Sequence, residues 1–297
     1  MESLDVKKIL TSPLKLNNLS TFIKLCLLLT LFFGPYNNGK LCAQKIIYKT
    51  QLPKKIEESS GLEYFKNDFL THNDSGGKPI LYRFDKQGNI VNQYLIEDAE
   101  NNDWEDIAQD KNYVYISDSG NNYGKRKDLK ILIVNPKRNF KKVGEITFRY
   151  REQVNFEKRK KHPFDAEALI ATEKMLVLFS KNRKKSTTEL YSIPKSSGDY
   201  LLNPKKSFDV QSLITGGDYH NKLKLVALVG YNRAEEQFLY TLHSFNMENL
   251  NQIKMKKFKL PLDGKQIEAV KIIDQNTFWI TSEDEGIGFP MLYKIKL

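Results

Sequence analysis

Carboxylates recur at matched places in this chain, and several of them brought together would do one kind of chemistry. Glu58, Glu105 beside Asp106, Glu167 after Asp165, and Glu268 each stand at the head of a short apolar run, and Asp74, Asp118 and Glu283 each close the run that follows. Carboxylates crowded into one place are unfavourable unless they are protonated, paired or bridged by a cation. A bound Ca²⁺ resolves the crowding economically, because it accepts several hard oxygen ligands in flexible geometry, whereas Mg²⁺ demands a stricter octahedron. The expected metal set is therefore Glu58, Glu105, Glu167, Glu268, Asp74, Asp118 and Glu283. A structural reading stands beside it: Glu167 can pair with Lys181, and Asp74 and Asp118 belong to Asp-Ser-Gly turns, where aspartate is favoured anyway. His72, next to Asn73 and Asp74, is the one weak candidate for a general base acting on a metal-bound water.

Such residues converge only if the chain repeats. From Glu58 the order of short apolar runs separated by Asp, Asn, Gly and Lys turns returns five times, which predicts meandering strands and an all-β, five-bladed propeller. The first strands begin at Glu58-Ser-Ser-Gly-Leu62, Trp104-Glu-Asp-Ile-Ala108, Phe164-Asp-Ala-Glu-Ala168, Val210-Gln-Ser-Leu-Ile214 and Ile267-Glu-Ala-Val-Lys271. Innermost strands line the axis, so their leading residues share one ring, with Gln211 in the fourth place. The second strands return to the same face and end at Asp74, Asp118, Lys181, Tyr231 and Glu283. The third strands carry Leu81-Tyr82, Leu190-Tyr191, Leu239-Tyr240 and Leu292-Tyr293, read as packing between blades. Gly76-Gly77 and Gly216-Gly217 read as turns. The fifth repeat stops after three strands, and Lys45-Ile-Ile-Tyr-Lys-Thr50 supplies the fourth, closing the ring and removing exposed sheet edges. Six blades are the main alternative, with room only in the insertion at Gln153 to His162.

Glu58-Ser-Ser-Gly-Leu62, Asn73-Asp-Ser-Gly76, Asp103-Trp-Glu-Asp-Ile107, Ser117-Asp-Ser-Gly-Asn-Asn122 and Phe164-Asp-Ala-Glu-Ala-Leu169 together resemble the SdiA-regulated, phytase-like group of bacterial β-propellers. The resemblance runs from about residue 46 to the end. It implies a five-bladed, NHL-related propeller with a calcium site in the channel and no established reaction. Glu58, Glu105, Glu167 and Glu268 would inherit the acidic role, and Gln211 departs from the pattern.

Ahead of the repeats, Lys7, Lys8, Lys15 and Lys24 precede an apolar run from Leu25 to Phe33, with Gly34 and Pro35 after it. Residues 1–43 read as a signal peptide, and 44–297 as the exported domain, periplasmic, envelope-associated or secreted. Lipid attachment at Cys42 and an uncleaved leader are the alternatives to cleavage after Ala43. Both cysteines, Cys26 and Cys42, lie in this leader, so the domain has no thiolate for nucleophilic or zinc chemistry. From residue 44 onward 42 Lys+Arg face 34 Asp+Glu, and the positives cluster in turns and on an outer strand with few aromatics between them. That pattern reads as solvated loops rather than a nucleic-acid surface, with an anionic glycan or lipid surface left open. The function expected is a monomeric binding or scaffold module presenting an unidentified ligand or protein at the channel face, without a transmembrane domain. The alternatives are a calcium-dependent lactonase, esterase or phosphoesterase, and a ring that an ion merely rigidifies.

Overall fold

The computed structural model describes residues 44–262, 264–284 and 288–297. The leader, Cys26, Cys42 and the cleavage position fall outside the described residues. The propeller occupies the compact unit Ala43–Leu297.

Five antiparallel sheets form five blades. The first contains β2 (Ser59–Phe65), β3 (Asp68–Asn73), β4 (Ile80–Phe84) and β5 (Ile90–Leu95), in that order from the axis outward. The second contains β6 (Trp104–Gln109), β7 (Val114–Asp118), β8 (Lys130–Asn135) and β9 (Lys141–Tyr150). The third runs β10 (Ala166–Ala171), β11 (Met175–Ser180), β12 (Thr187–Pro194) and β14 (Lys206–Asp209). The fourth runs β15 (Leu213–His220), β16 (Leu225–Tyr231), β17 (Gln237–His243) and β18 (Lys254–Lys259). The fifth is β19 (Ile267–Ile272), β20 (Thr277–Ser282), β21 (Met291–Lys296) and, at its outer edge, β1 (Lys45–Gln51). The pairing of β1 with β21, from Lys45 opposite Lys296 to Gln51 opposite Met291, closes the ring as the orphan strand predicts. Gln153 to His162 form no strand, and the described residues make five blades and not six.

Period-two alternation explains how the blades hold together. Successive residues of a strand face opposite sides of the sheet, so each strand feeds two interfaces. Leu81 packs between the first and second blades while Tyr82 packs between the fifth and first. Likewise Val177 faces the fourth blade and Leu178 the second. The five hydrophobic clusters are the five blade-to-blade interfaces. The Leu-Tyr tyrosines are buried in them, and the Tyr240 hydroxyl donates to the Val210 carbonyl at 2.9 Å.

Three features depart from expectation. Gly198–Leu202 forms β13, which leaves the third blade and pairs in parallel with β9, adding a fifth strand to the second blade. Gly216 and Gly217 lie inside β15, not in a turn; a Cβ on Gly216 would stand 2.3 Å from the Glu268 carbonyl oxygen, so the close approach of neighbouring inner strands demands glycine there. The first strand of the fourth repeat therefore runs Leu213–His220, and Gln211 precedes it in a left-handed conformation (φ 53°).

Candidate metal centre

Every inner strand breaks register near its start, and the break decides which side chain enters the channel. The shift falls between Trp104 and Asp106, Ala166 and Ala168, Ile214 and Gly216, and Ile267 and Ala269. Glu105, Glu167, Thr215 and Glu268 are the residues set apart by these bulges, which re-aim a side chain locally. In the first blade the shift lies between Ser60 and Glu63. The non-acidic positions stitch blades together instead: the Ser60 hydroxyl donates to the Glu105 carbonyl at 2.5 Å, and Thr215 donates to the Ile267 carbonyl at 2.6 Å. Thr215, not Gln211, is thus the fourth member of the ring. Glu58 stands exposed before β2, with burial and then Glu57 holding its pKa above the ordinary range.

Two overlapping carboxylate triads result. Asp74, Asp103 and Glu105 can each offer an oxygen within 4.8 Å of the others, and so can Glu105, Asp165 and Glu167. Glu105 belongs to both. Asp103 and Asp165 lie outside the set expected from sequence. The signal for them was the Asp-x-Glu spacing shared by Asp103-Trp-Glu105 and Asp165-Ala-Glu167, which sets an aspartate just ahead of each strand and a glutamate at its bulge.

The two triads differ in their countercharge. Lys181 Nζ lies 2.8 Å from Glu167, and Arg183 Nε lies 2.7 Å from Asp165, whose other oxygen accepts the Asn121 N–H at 2.7 Å. Glu167 therefore pairs with Lys181 as the structural reading anticipated. Among the described residues no Lys or Arg reaches ion-pair distance of Asp74, Asp103 or Glu105, and one Asp74 oxygen (Oδ1) is buried without a hydrogen bond. Burial first, then Glu167, Asp103 and Glu268, pushes Asp74 up to about 9; burial, then Glu167 and Asp165, pushes Asp103 up to about 7. Glu105 is held well above the ordinary range by burial and by Glu167 and Asp74.

The remaining expected ligands divide. Asp118 is fully buried but satisfied, 2.9 Å from Arg126 and accepting the Asp103 N–H at 3.2 Å. Glu268 and Glu283 share the Gln266 amide, at 2.5 and 3.2 Å. Burial raises Glu268, Lys181 lowers it and Glu167 raises it again, leaving it at about 8, while burial and Glu268 push Glu283 up to about 10. His72 is fully buried against the Trp104 ring rather than facing the mouth, its Nδ1 bonded to the Asn73 carbonyl at 2.9 Å and its pKa pushed down to about 4 by burial.

Deeper in the channel the buried carboxylates have partners. Lys271 Nζ bridges Glu63 at 2.5 Å and Asp218 at 2.8 Å, and Asp106 accepts three backbone N–H groups, from Ile107, Leu169 and Gly217. On the Asp74 side of the mouth a buried carboxylate oxygen is left without a hydrogen bond. Gly120 completes that side: a Cβ there would stand 2.0 Å from Glu105 Oε1 and 2.4 Å from Asp103 Oδ2. Only a glycine leaves the two carboxylates the room they occupy. A set of hard oxygens, an orphaned carboxylate oxygen and a glycine-lined cradle fit a hard divalent cation.

No protein-family model matches the chain, and no curated protein matches it in sequence. Solved structures similar to it include the PQQ-bound aldose sugar dehydrogenase of Streptomyces coelicolor, 12% identical, covering 86% of this chain and 98% of that one with a TM-score of 0.48. A protein of Bacteroides fragilis described as exported is 9% identical over 86% of this chain and 95% of its own, with a TM-score of 0.43. Virginiamycin B lyase of Staphylococcus aureus is 12% identical over 83% and 68%, with a TM-score of 0.40. Among the described residues no helix is long and apolar enough to cross a membrane. The chain is a five-bladed β-propeller.

Proposed function

We propose that this propeller is an exported binding or scaffold module of the SdiA-regulated, phytase-like kind, holding one Ca²⁺ at its channel mouth through Asp74, Asp103 and Glu105. The observation that carries the proposal is the contrast between the triads: Asp165 and Glu167 have Arg183 and Lys181, while among the described residues Asp74, Asp103 and Glu105 have no cation within ion-pair distance. Burial first, and repulsion from neighbouring carboxylates second, hold all three carboxyls above their ordinary range, and a cation there would offset both. Export rests on the basic, then apolar leader ahead of residue 44.

When bound, the ion supplies fixed positive charge and the coordination positions the protein leaves open. The chain's own residues aim three oxygens from the first two blades at one point and keep Lys181 and Arg183 engaged beside it. Catalysis has less support than binding, because His72 faces the blade interface. The experiment is calorimetric titration of Ca²⁺ into chelator-treated residues 44–297, repeated with Asp74→Asn, Asp103→Asn and Glu105→Gln. One site per chain, abolished by Glu105→Gln, supports the proposal; no heat, or binding indifferent to all three substitutions, overturns it.

A further inference from the structure

The basic clusters that the sequence scatters over 121–130, 151–162 and 183–186 meet on one surface. These segments hold twelve Lys/Arg against three Asp/Glu. They are the β7–β8, β9–β10 and β11–β12 loops, all on the mouth side of the second and third blades, and buried polar side chains lock them together. His162, 1% exposed, accepts the Phe164 N–H at Nδ1 (3.1 Å) and donates from Nε2 to the Asn122 carbonyl (3.3 Å). Gln153 donates to the Gly124 carbonyl at 2.9 Å, the Arg159 N–H to Tyr123 at 2.9 Å, and the Arg183 N–H to His162 at 3.1 Å. Loops held by their own internal partners form a platform, and its outer side is what the platform presents.

That outer side is amphipathic. Lys158, Lys160 and Lys161 are exposed on the middle loop, flanked by Lys125 and Lys127 on one side and Lys184 and Lys185 on the other. Val154 projects from it, 87% exposed, the most exposed large apolar side chain described. On the same loops the Tyr123 ring lies 4.5 Å from Lys158 Nζ and the Phe156 ring 5.0 Å from Lys127 Nζ. We propose that this platform docks on an anionic lipid bilayer, with the lysines at the headgroups and Val154 entering the interface. Clusters of four to eight cations beside apolar side chains bind anionic bilayers in this way. Single-stranded nucleic acid fits less well, because it calls for open aromatic faces on which bases stack, and here Lys158 stands over the partly exposed Tyr123 ring and Lys127 over Phe156, while the aliphatic Val154 projects furthest.

The test is co-sedimentation of residues 44–297 with vesicles of phosphatidylcholine alone or mixed with phosphatidylglycerol, in chelator so that calcium bridging plays no part and the outcome is independent of the metal site. Binding is expected to the anionic vesicles only and to weaken as added salt shortens the screening length. Lys158→Glu/Lys160→Glu/Lys161→Glu should weaken it on the order of 100-fold, and Val154→Asp roughly tenfold, with thermal stability unchanged in both. Failure to bind anionic vesicles, equal binding by the charge-reversed variant, or retention on single-stranded oligonucleotides without vesicle binding would overturn the proposal.

Discussion

Gly120→Ala probes the metal centre without removing a charge. The added methyl would stand 2.0 Å from Glu105 Oε1 and 2.4 Å from Asp103 Oδ2, where ordinary contact begins near 3.4 Å. Each carboxylate must then retreat by about 1 Å or more, whereas Ca²⁺–oxygen distances span only about 2.3–2.6 Å. Two of three ligands lose their position, and at about 1.4 kcal/mol per tenfold the loss should reach roughly 100-fold in affinity. Stability should change little, because Gly120 is not in the left-handed region and the methyl meets the ends of side chains rather than backbone. Calorimetric Ca²⁺ titration of wild type and variant, with melting of both in chelator, separates the two effects. Wild-type affinity in a folded Gly120→Ala protein would refute the cradle and with it the placement of the ion.

The other predictions concern charge and closure. Asp103 at about 7, Glu268 at about 8 and Asp74 at about 9 all lie above the unfolded carboxyl values. The folded ion-free protein therefore binds more protons than the unfolded chain from about pH 4 upward, and its stability should fall as pH rises toward 9. Melting curves in chelator from pH 5.5 to 9 should show that fall and saturating Ca²⁺ should reduce it; rising stability without Ca²⁺ contradicts the burial of these groups. Arg183→Ala leaves Asp165, which is fully buried, with its backbone donor but no cation, a change of about 3 kcal/mol or more measurable by urea unfolding. The same variant should bind Ca²⁺ more tightly, since the mouth loses a positive charge. Removing residues 44–52 exposes the edge of β21 and deletes the buried Leu52, so the truncated domain should melt at least 10 °C lower (roughly, at about 2–4 °C per kcal/mol) or aggregate.

Much of the fold is legible in the sequence because propeller repeats carry their own punctuation. Turn residues bracket runs such as Tyr113-Val-Tyr-Ile-Ser117 and Met175-Leu-Val-Leu-Phe179, and an unpaired first strand matches a last blade one strand short. What escaped was set by contacts between blades. β13 pairs in parallel with a strand about fifty residues earlier, and nothing local in Gly198–Leu202 names that partner. Gly216-Gly217 carries the composition of a turn, yet serves the close approach of β15 to its neighbours. That misreading shifted the fourth repeat and put Gln211 where Thr215 belongs. Glu58 was aligned with Glu105 by its place before an apolar run, whereas the bulge register excludes it. Asp103 and Asp165 each precede a strand and look like turn residues; Asp103 is a sequence neighbour of Glu105, whereas only the ring brings Asp165 beside it.

The most direct measurement is an anomalous difference map from crystals of residues 44–297 grown or soaked with Ca²⁺. A single strong peak bounded by Asp74, Asp103 and Glu105, with Lys181 and Arg183 still paired to Glu167 and Asp165, is the result expected. A peak elsewhere, or no peak at Ca²⁺ concentrations that saturate the calorimetric signal, would contradict the account.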